Sequence, residues 1–176
     1  PVAKQLKPPA GATFCGVMIG ENSSRFLLTS DAGYGFVATL EDLLTRNKSG
    51  KAVLSARGAG VLSPQRVFEY EDDWVAAITD TGRLLIFALA ELPLLPKGKG
   101  VKLVNIPGAR HKAGEEKLVG VAVFREGDAL RLYAGKQSMR LKPSDIDTFA
   151  GSRAQRGRAL PRGYQRPTAI ETTVTS

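Results

Sequence analysis

Pro96-Lys97-Gly98-Lys99-Gly100-Val101 is a basic turn jointed by glycines and set between two apolar runs. Related turns stand upstream, at Asn47-Lys48-Ser49-Gly50-Lys51-Ala52, and downstream, at Gln155-Arg156-Gly157-Arg158-Ala159-Leu160. Each pairs cations with a glycine at the same point of a recurring pattern. The chain therefore reads as a repeat protein that presents positive charge once per repeat.

An apolar hairpin signal precedes each of the first two turns. Arg25 to Thr29 and Tyr34 to Thr39 are strand candidates joined by Ser30-Asp31-Ala32-Gly33, whose Asp and Gly suit a tight connection. Trp74 to Thr79 and Arg83 to Ala88 repeat this around Asp80-Thr81-Gly82. The two Asp-x-Gly turns lie 49 residues apart, and Gly50-Lys51 and Gly98-Lys99 lie 48 apart. Periods in this range mark propellers or arrays.

A third unit runs through Leu118 to Phe124, a turn at Glu126-Gly127-Asp128, Leu130 to Ala134 and Ser138 to Lys142, without the Asp-x-Gly form. Further strands are expected at Ala12 to Ile19, Ala52 to Ala56, Arg66 to Tyr70, Val101 to Ile106 and Thr168 to Thr173, with Lys4 to Ala10 a strand remnant and Pro-Pro turn. Short helical turns follow the hairpins. Thr39 caps one through Leu44, Leu89 to Leu95 holds a second, and Pro143 to Phe149 a third with Pro143 in its first turn.

No single unit of this kind buries its apolar face alone, so the pattern implies an all-β array of four-stranded blades. The units are residues 1–20 as remnant or exchanged strands of a preceding blade, 21–70, 71–124 and 125–170 as blades, and 171–176 as a flexible tail. Trp74 and the Phe side chains are assigned to the core, as is Cys15 in its apolar run. His111, between Arg110 and Lys112 in the polar stretch Pro107 to Lys117, reads as a surface histidine without a second metal ligand.

The 43% hydrophobic and 24% charged content is that of a globular protein. No apolar run approaches 18 residues and the first ten residues hold no signal-like core, so a cytoplasmic protein is expected. Starting at Pro1 without methionine, the chain reads as a fragment. The net charge of +8 points to a polyanion partner. From Arg131 to Arg166 there are nine Lys/Arg against two Asp, whereas residues 1–130 carry sixteen against fourteen Asp/Glu, so the excess lies near the C-terminus.

Lys97 to Gly100 lacks the spacing of a P-loop. His111 is the sole histidine, which leaves no Ser/His/Asp or Cys/His set, and the carboxylates fall as adjacent turn residues such as Asp72-Asp73 and Glu115-Glu116. Catalysis within this chain is not expected. Phosphate binding suits the turns, because glycine lets the backbone approach closely while the flanking cations supply charge. A curved row of them favours bent or crossed DNA.

Read together, Ser30-Asp31-Ala32-Gly33-Tyr34-Gly35-Phe36-Val37, Arg46-Asn47-Lys48-Ser49-Gly50-Lys51-Ala52 and Leu95-Pro96-Lys97-Gly98-Lys99-Gly100-Val101-Lys102-Leu103-Val104-Asn105-Ile106-Pro107 resemble the C-terminal domain of the bacterial DNA topoisomerase IV A-subunit. The resemblance covers most of the chain. It implies a β-pinwheel, a propeller-like open arc of four-stranded blades that exchange strands and carry a basic outer rim, here N-terminally shortened. The Gln-Arg-Arg-Gly-Gly-Lys-Gly box of the related gyrase domain is missing in that form, with Gln155-Arg156-Gly157-Arg158 a degenerate echo, which favours topoisomerase IV over gyrase.

The resemblance further implies a nucleoid-associated accessory domain that captures or bends duplex DNA and guides decatenation and supercoil relaxation. Its contacts would come from Arg46, Lys48, Lys51, Lys97, Lys99, Lys102, Lys136, Arg140, Arg153, Arg156, Arg158 and Arg162. Its protein partners would be the catalytic core of the same polypeptide and the topoisomerase IV B-subunit. The parent's cleaving tyrosine follows an arginine; Tyr34, Tyr70, Tyr133 and Tyr164 do not, so that centre, with the ATP and Mg of other domains, is expected outside this chain. No cofactor is expected within it. Two other readings stand beside this one: a protein-interaction propeller that binds an acidic partner, and an RNA-binding β domain.

Overall fold

The computed structural model describes residues 8–173. The start of the strand remnant expected at Lys4 to Ala10 and the end of the expected tail fall outside these residues. Strands β1 (Arg25–Thr29) and β2 (Tyr34–Thr39) form the first hairpin, followed by helix α1 (Leu40–Leu43) and β3 (Gln65–Val67). The second hairpin is β4 (Trp74–Thr79) and β5 (Arg83–Ala88), followed by a 3-10 turn at Leu89–Glu91, β6 (Val101–Lys102), α2 (Gly108–Lys112) and β7 (Leu118–Phe124). The third is β8 (Ala129–Ala134) and β9 (Gln137–Leu141), followed by α3 (Pro143–Ile146), a 3-10 turn at Asp147–Phe149, β10 (Arg158–Ala159) and β11 (Ala169–Thr173).

Alternation along the hairpins sends neighbouring side chains to opposite faces, and the core follows that rule. Leu27, Val37, Val75, Ala77, Leu85 and Phe87 share one buried cluster between the first two sheets. Ala76, Ile78, Leu84 and Ile86 face the other way, onto Leu130, Leu132 and Phe124. Phe26, Leu28, Phe36 and Ala38 form a third cluster, covered by Met18, Val53, Leu54 and Leu95. Burying a Leu or Phe side chain is worth about 1.5–3 kcal/mol, and the central strands of the first two sheets contribute on both faces. This is why the strands read as near-continuous apolar runs.

The strand orders are β3-β1-β2-β6, β10-β5-β4-β7 and β11-β8-β9, all pairs antiparallel. Each hairpin takes one outer strand from the linker that follows it. The first two take a second from beyond the next hairpin. Among the described residues the third sheet has three strands, so the array is open at β9. The result is an all-β, open, propeller-like array with strands exchanged between neighbours.

Several expected strands differ. Ala12 to Ile19 is neither strand nor buried: Phe14, Val17 and Ile19 are 53%, 78% and 77% exposed, and Cys15 is exposed. β3 and β7, which stand at the corresponding place before the second and third hairpins, are strands because they pair with the first strand of the preceding hairpin. Among the described residues no hairpin precedes the first. The same reason reduces Ala52 to Ala56 to a single bridge between Leu54 and Gly98.

Arg66 to Tyr70 shortens to Gln65–Val67 because the Asp73 carboxylate draws Phe68 N and Glu69 N into a turn, at 2.6 and 3.0 Å. That leaves Phe68 half exposed, so Phe14 and Phe68 depart from the core assignment. Val101 to Ile106 shortens to two residues as the chain leaves the sheet to bond Gln155.

Candidate nucleic-acid interface

Three basic loops are joined in series by one repeated hydrogen-bond pattern. Gly98 N donates to Val53 O at 2.8 Å and Ser55 N to Gly98 O at 2.8 Å, which ties the chain leaving the first loop to the second. Ala154 N donates to Leu103 O at 2.7 Å and Asn105 N to Gln155 O at 2.8 Å, which ties the second to the third. This pattern pairs Gly50 with Gly100, not with Gly98, and corrects the spacing of 48 read between Gly50-Lys51 and Gly98-Lys99.

Gly50, Gly100 and Gly157 share the left-handed backbone, with φ of 86°, 77° and 77°. At Gly100 and Gly157 a side chain is also excluded by space. A Cβ on Gly100 would lie 2.0 Å from Gly35 O, and one on Gly157 would lie 2.8 Å from Leu84 O. After these glycines the chain enters β6 and β10, which seat the loops on β2 and β5.

The twelve cations are held differently. Arg46, Lys48, Lys97, Lys136, Arg140, Arg158 and Arg162 are exposed. Lys51 is exposed but donates from Nζ to Asp42 O at 2.5 Å, Lys99 rests its Nζ 3.7 Å from the centroid of the Tyr34 ring, and Lys102 Nζ meets Asn105 Oδ1 at 3.2 Å. Lys136 and Arg140 lie on the third hairpin, at and beside the open edge strand, apart from the three loops.

Arg153 and Arg156 are half-buried and engaged with protein. Arg153 Nη1 donates to Lys102 O at 2.8 Å, and its backbone N donates to Glu91 Oε2 at 2.9 Å. Arg156 makes a bidentate pair with Glu116, Nη1 to Oε1 at 2.6 Å and Nη2 to Oε2 at 2.7 Å, and Nη1 reaches Asn105 O at 2.9 Å. Thr81 Oγ1 donates to Glu116 Oε1 at 2.8 Å. Burial pushes the Glu116 carboxyl up. The hydrogen bonds from Arg156 and Thr81 and the charges of Arg156 and Arg110 outweigh it, so the pKa sits below the ordinary glutamate value.

Sequence reasoning missed Glu116, because Glu115 and Glu116 look alike and nothing local says that one side chain is 61% exposed and the other 0%. His111, a surface residue by its sequence neighbours, is instead engaged across the fold. The imidazole is 2.7 Å from Asp31 in the first hairpin turn, with both side chains 21% exposed. Arg83, Arg110 and Arg166 line an open groove of about 1090 Å³ beside the second hairpin turn. Among the described residues no group of three or more His, Cys, Asp or Glu is placed to hold a metal. None of their helices is long and apolar enough to cross a membrane.

An open array of antiparallel sheets with exchanged strands and a basic loop per repeat defines the propeller-like class. The model of the DNA gyrase C-terminal domain, beta-propeller, matches residues 25–59 and 73–125, and the chain belongs to that family. Within it, the DNA topoisomerase 4 A-subunit of Pseudomonas aeruginosa is 47% identical over 94% of this chain, and that of Haemophilus influenzae 41% over 93%. The chain spans 22% of the length of each. The solved E. coli ParC C-terminal domain superposes with a TM-score of 0.87 at 36% identity, covering 99% of this chain and 71% of that one. The DNA gyrase A C-terminal domain shares the fold, with a TM-score of 0.65 at 20% identity over 89% of this chain and 50% of its own. The resemblance to the C-terminal domain of the topoisomerase IV A-subunit is thus a true relationship.

Proposed function

We propose that this chain binds duplex DNA as the accessory C-terminal domain of a topoisomerase IV A-subunit, capturing or bending a segment along its basic loops. The observation that carries this is the series of three glycine-jointed basic loops, hydrogen-bonded one to the next on successive sheets. Glycine permits close approach of a phosphate backbone. Among the described residues the helices are of four or five residues, too short to read a groove, so binding comes from charge and shape rather than base edges.

Arg46, Lys48, Lys51, Lys97, Lys99, Lys102 and Arg158 would supply the loop contacts, with Arg162 beside them and Lys136 and Arg140 extending the track onto the third hairpin. Arg153 and Arg156 would act mainly by holding the third loop. The domain would work with the catalytic core of its own polypeptide and with the B-subunit, whose ATP and Mg chemistry lies elsewhere, and would direct decatenation and supercoil relaxation at the bacterial nucleoid.

Salt-dependent shift assays on duplex DNA test this. The logarithm of affinity is expected to fall by about 0.9 per phosphate neutralised for each log unit of salt. Replacing Lys97 and Lys99 by Gln should weaken binding modestly. Replacing Lys48, Lys51, Lys97, Lys99 and Arg158 together should abolish it, and an unchanged affinity in that variant overturns the reading. Tighter binding to an acidic protein or to structured RNA than to duplex DNA would overturn it too.

A further inference from the structure

Arg156 holds in the third loop the place that Lys99 holds in the second, immediately before the crowded glycine in each. The two cations are used in opposite ways. Lys99 rests its ammonium on the Tyr34 ring. Arg156 gives both terminal nitrogens to a carboxylate with no solvent exposure. Position in the repeat alone would make them equivalent phosphate contacts, and the geometry separates them.

Four segments converge on that carboxylate. Thr81 arrives from the turn between β4 and β5, Arg110 from α2 with its Nε 3.6 Å away, and Arg156 from the third loop. Through Arg156, Asn105 O joins from the chain that leaves the second loop. On either side, Arg153 Nη1 bonds Lys102 O at 2.8 Å and Arg83 Nη1 bonds Gly157 O at 3.2 Å. The bidentate pair thus holds the Arg156 head where it bonds Asn105 O, and a tilt of the third loop against the second would strain that bond and the one from Arg153 to Lys102 O.

We infer, on the reading that these loops bind duplex DNA, that Glu116 is a positioning residue: acting through Arg156, it fixes the spacing of the second and third basic loops and hence the bend of the duplex across them. A buried ion pair adds little stability by itself, and its best attested use is to select one arrangement among several. Loop spacing matters because bending a duplex much shorter than its persistence length of roughly 150 bp costs free energy that simultaneous contacts must repay. With the clasp open each loop still attracts phosphate, but the set no longer matches one curved path. Glu116 then governs bending and not charge.

The test uses the 176-residue chain with two duplexes, one of about 12 bp that spans few loops and one of about 40 bp carrying a fluorophore at each end to report bending. Glu116→Gln removes the carboxylate charge, Arg156→Lys keeps the cation but loses the fork, and Thr81→Val removes one donor while keeping shape. Near-ultraviolet circular dichroism checks that each is folded, and the two milder variants decide the matter if Glu116→Gln is not. The expected result is reduced end-to-end transfer on the long duplex and affinity for it lower by about tenfold, with affinity for the short one changed less than about twofold. The salt slope of Arg156→Lys should match the wild type.

Wild-type chain that binds neither duplex overturns the DNA reading and this inference with it. Wild-type bending that all folded variants reproduce overturns the inference alone. Tighter binding of Glu116→Gln to the short duplex, with a steeper salt slope, also overturns it, because Arg156 would then be a phosphate contact that Glu116 restrains.

Discussion

Asp31 and His111, eighty residues apart, meet at 2.7 Å between the first hairpin turn and helix α2. Backbone bonds reinforce the junction, with Asp31 N donating to Gly60 O at 2.9 Å and Leu118 N to Asp31 O at 2.7 Å. One aspartate thus ties the first sheet to both the linker before β3 and the strand β7 of the second. His111→Ala should cost about 1 kcal/mol, since a charge-assisted bond in a partly exposed site is discounted by solvent. Thermal melting should show a drop of about 2–4 °C for a chain of this size. An unchanged melt would make the contact incidental.

Gly100 and Gly50 make a matched pair for a backbone test. Both have positive φ, but a Cβ on Gly50 meets nothing within 4 Å, whereas one on Gly100 strikes the Gly35 carbonyl. Gly50→Ala should cost about 1–2 kcal/mol, the penalty of a left-handed L-residue. Gly100→Ala must also push β6 off β2, and is expected to cost clearly more in urea denaturation.

Asp73 and Glu116 should shape the pH dependence of stability with opposite signs. Burial raises the Asp73 pKa, and the amides of Phe68 and Glu69 only partly offset it; its buried Oδ1 has no hydrogen-bond partner among the described residues. A raised carboxyl pKa means that the group favours the folded state below its unfolded value near 3.8 and that this contribution is lost as pH rises through the folded pKa. Asp73→Asn keeps an acceptor for the two amides and removes the charge. It should be at least as stable as wild type at pH 7, with the advantage shrinking as the solution is acidified.

For Glu116 the pKa is lowered, so its contribution is full above the ordinary value near 4.5 and is lost as pH falls through the folded pKa. Glu116→Gln should therefore be less stable than wild type at pH 7, by about 3 kcal/mol if it behaves as a broken buried pair. The gap should narrow in acid. Chemical denaturation at pH 7 and at pH 3 reads both effects, and parallel curves would contradict them.

Hairpins were legible because their partners are neighbours in the chain. Asp31-Ala32-Gly33 and Asp80-Thr81-Gly82 brought together strands whose ends match the structure residue for residue. Segments whose partners lie far away were not. Ala12 to Ile19 and Ala52 to Ala56 have strand-like composition, yet composition does not reveal whether a sheet edge is waiting for them. The loop glycines were legible as glycines, but what crowds Gly100 is a carbonyl more than sixty residues upstream. Among the cations, Lys99 and Arg156 looked alike, and a buried glutamate across the fold separates them.

β6 and β10, the strands that close the first two sheets, overlap the ends of the second and third basic loops. Trimming a loop to weaken polyanion attraction would strip a neighbouring sheet of its seal and leave an edge open to strand pairing with another molecule. Affinity and resistance to aggregation are in this way inherited through the same residues. In such an arc each repeat seals the one before it, so the removal of one repeat leaves its predecessor with an open edge.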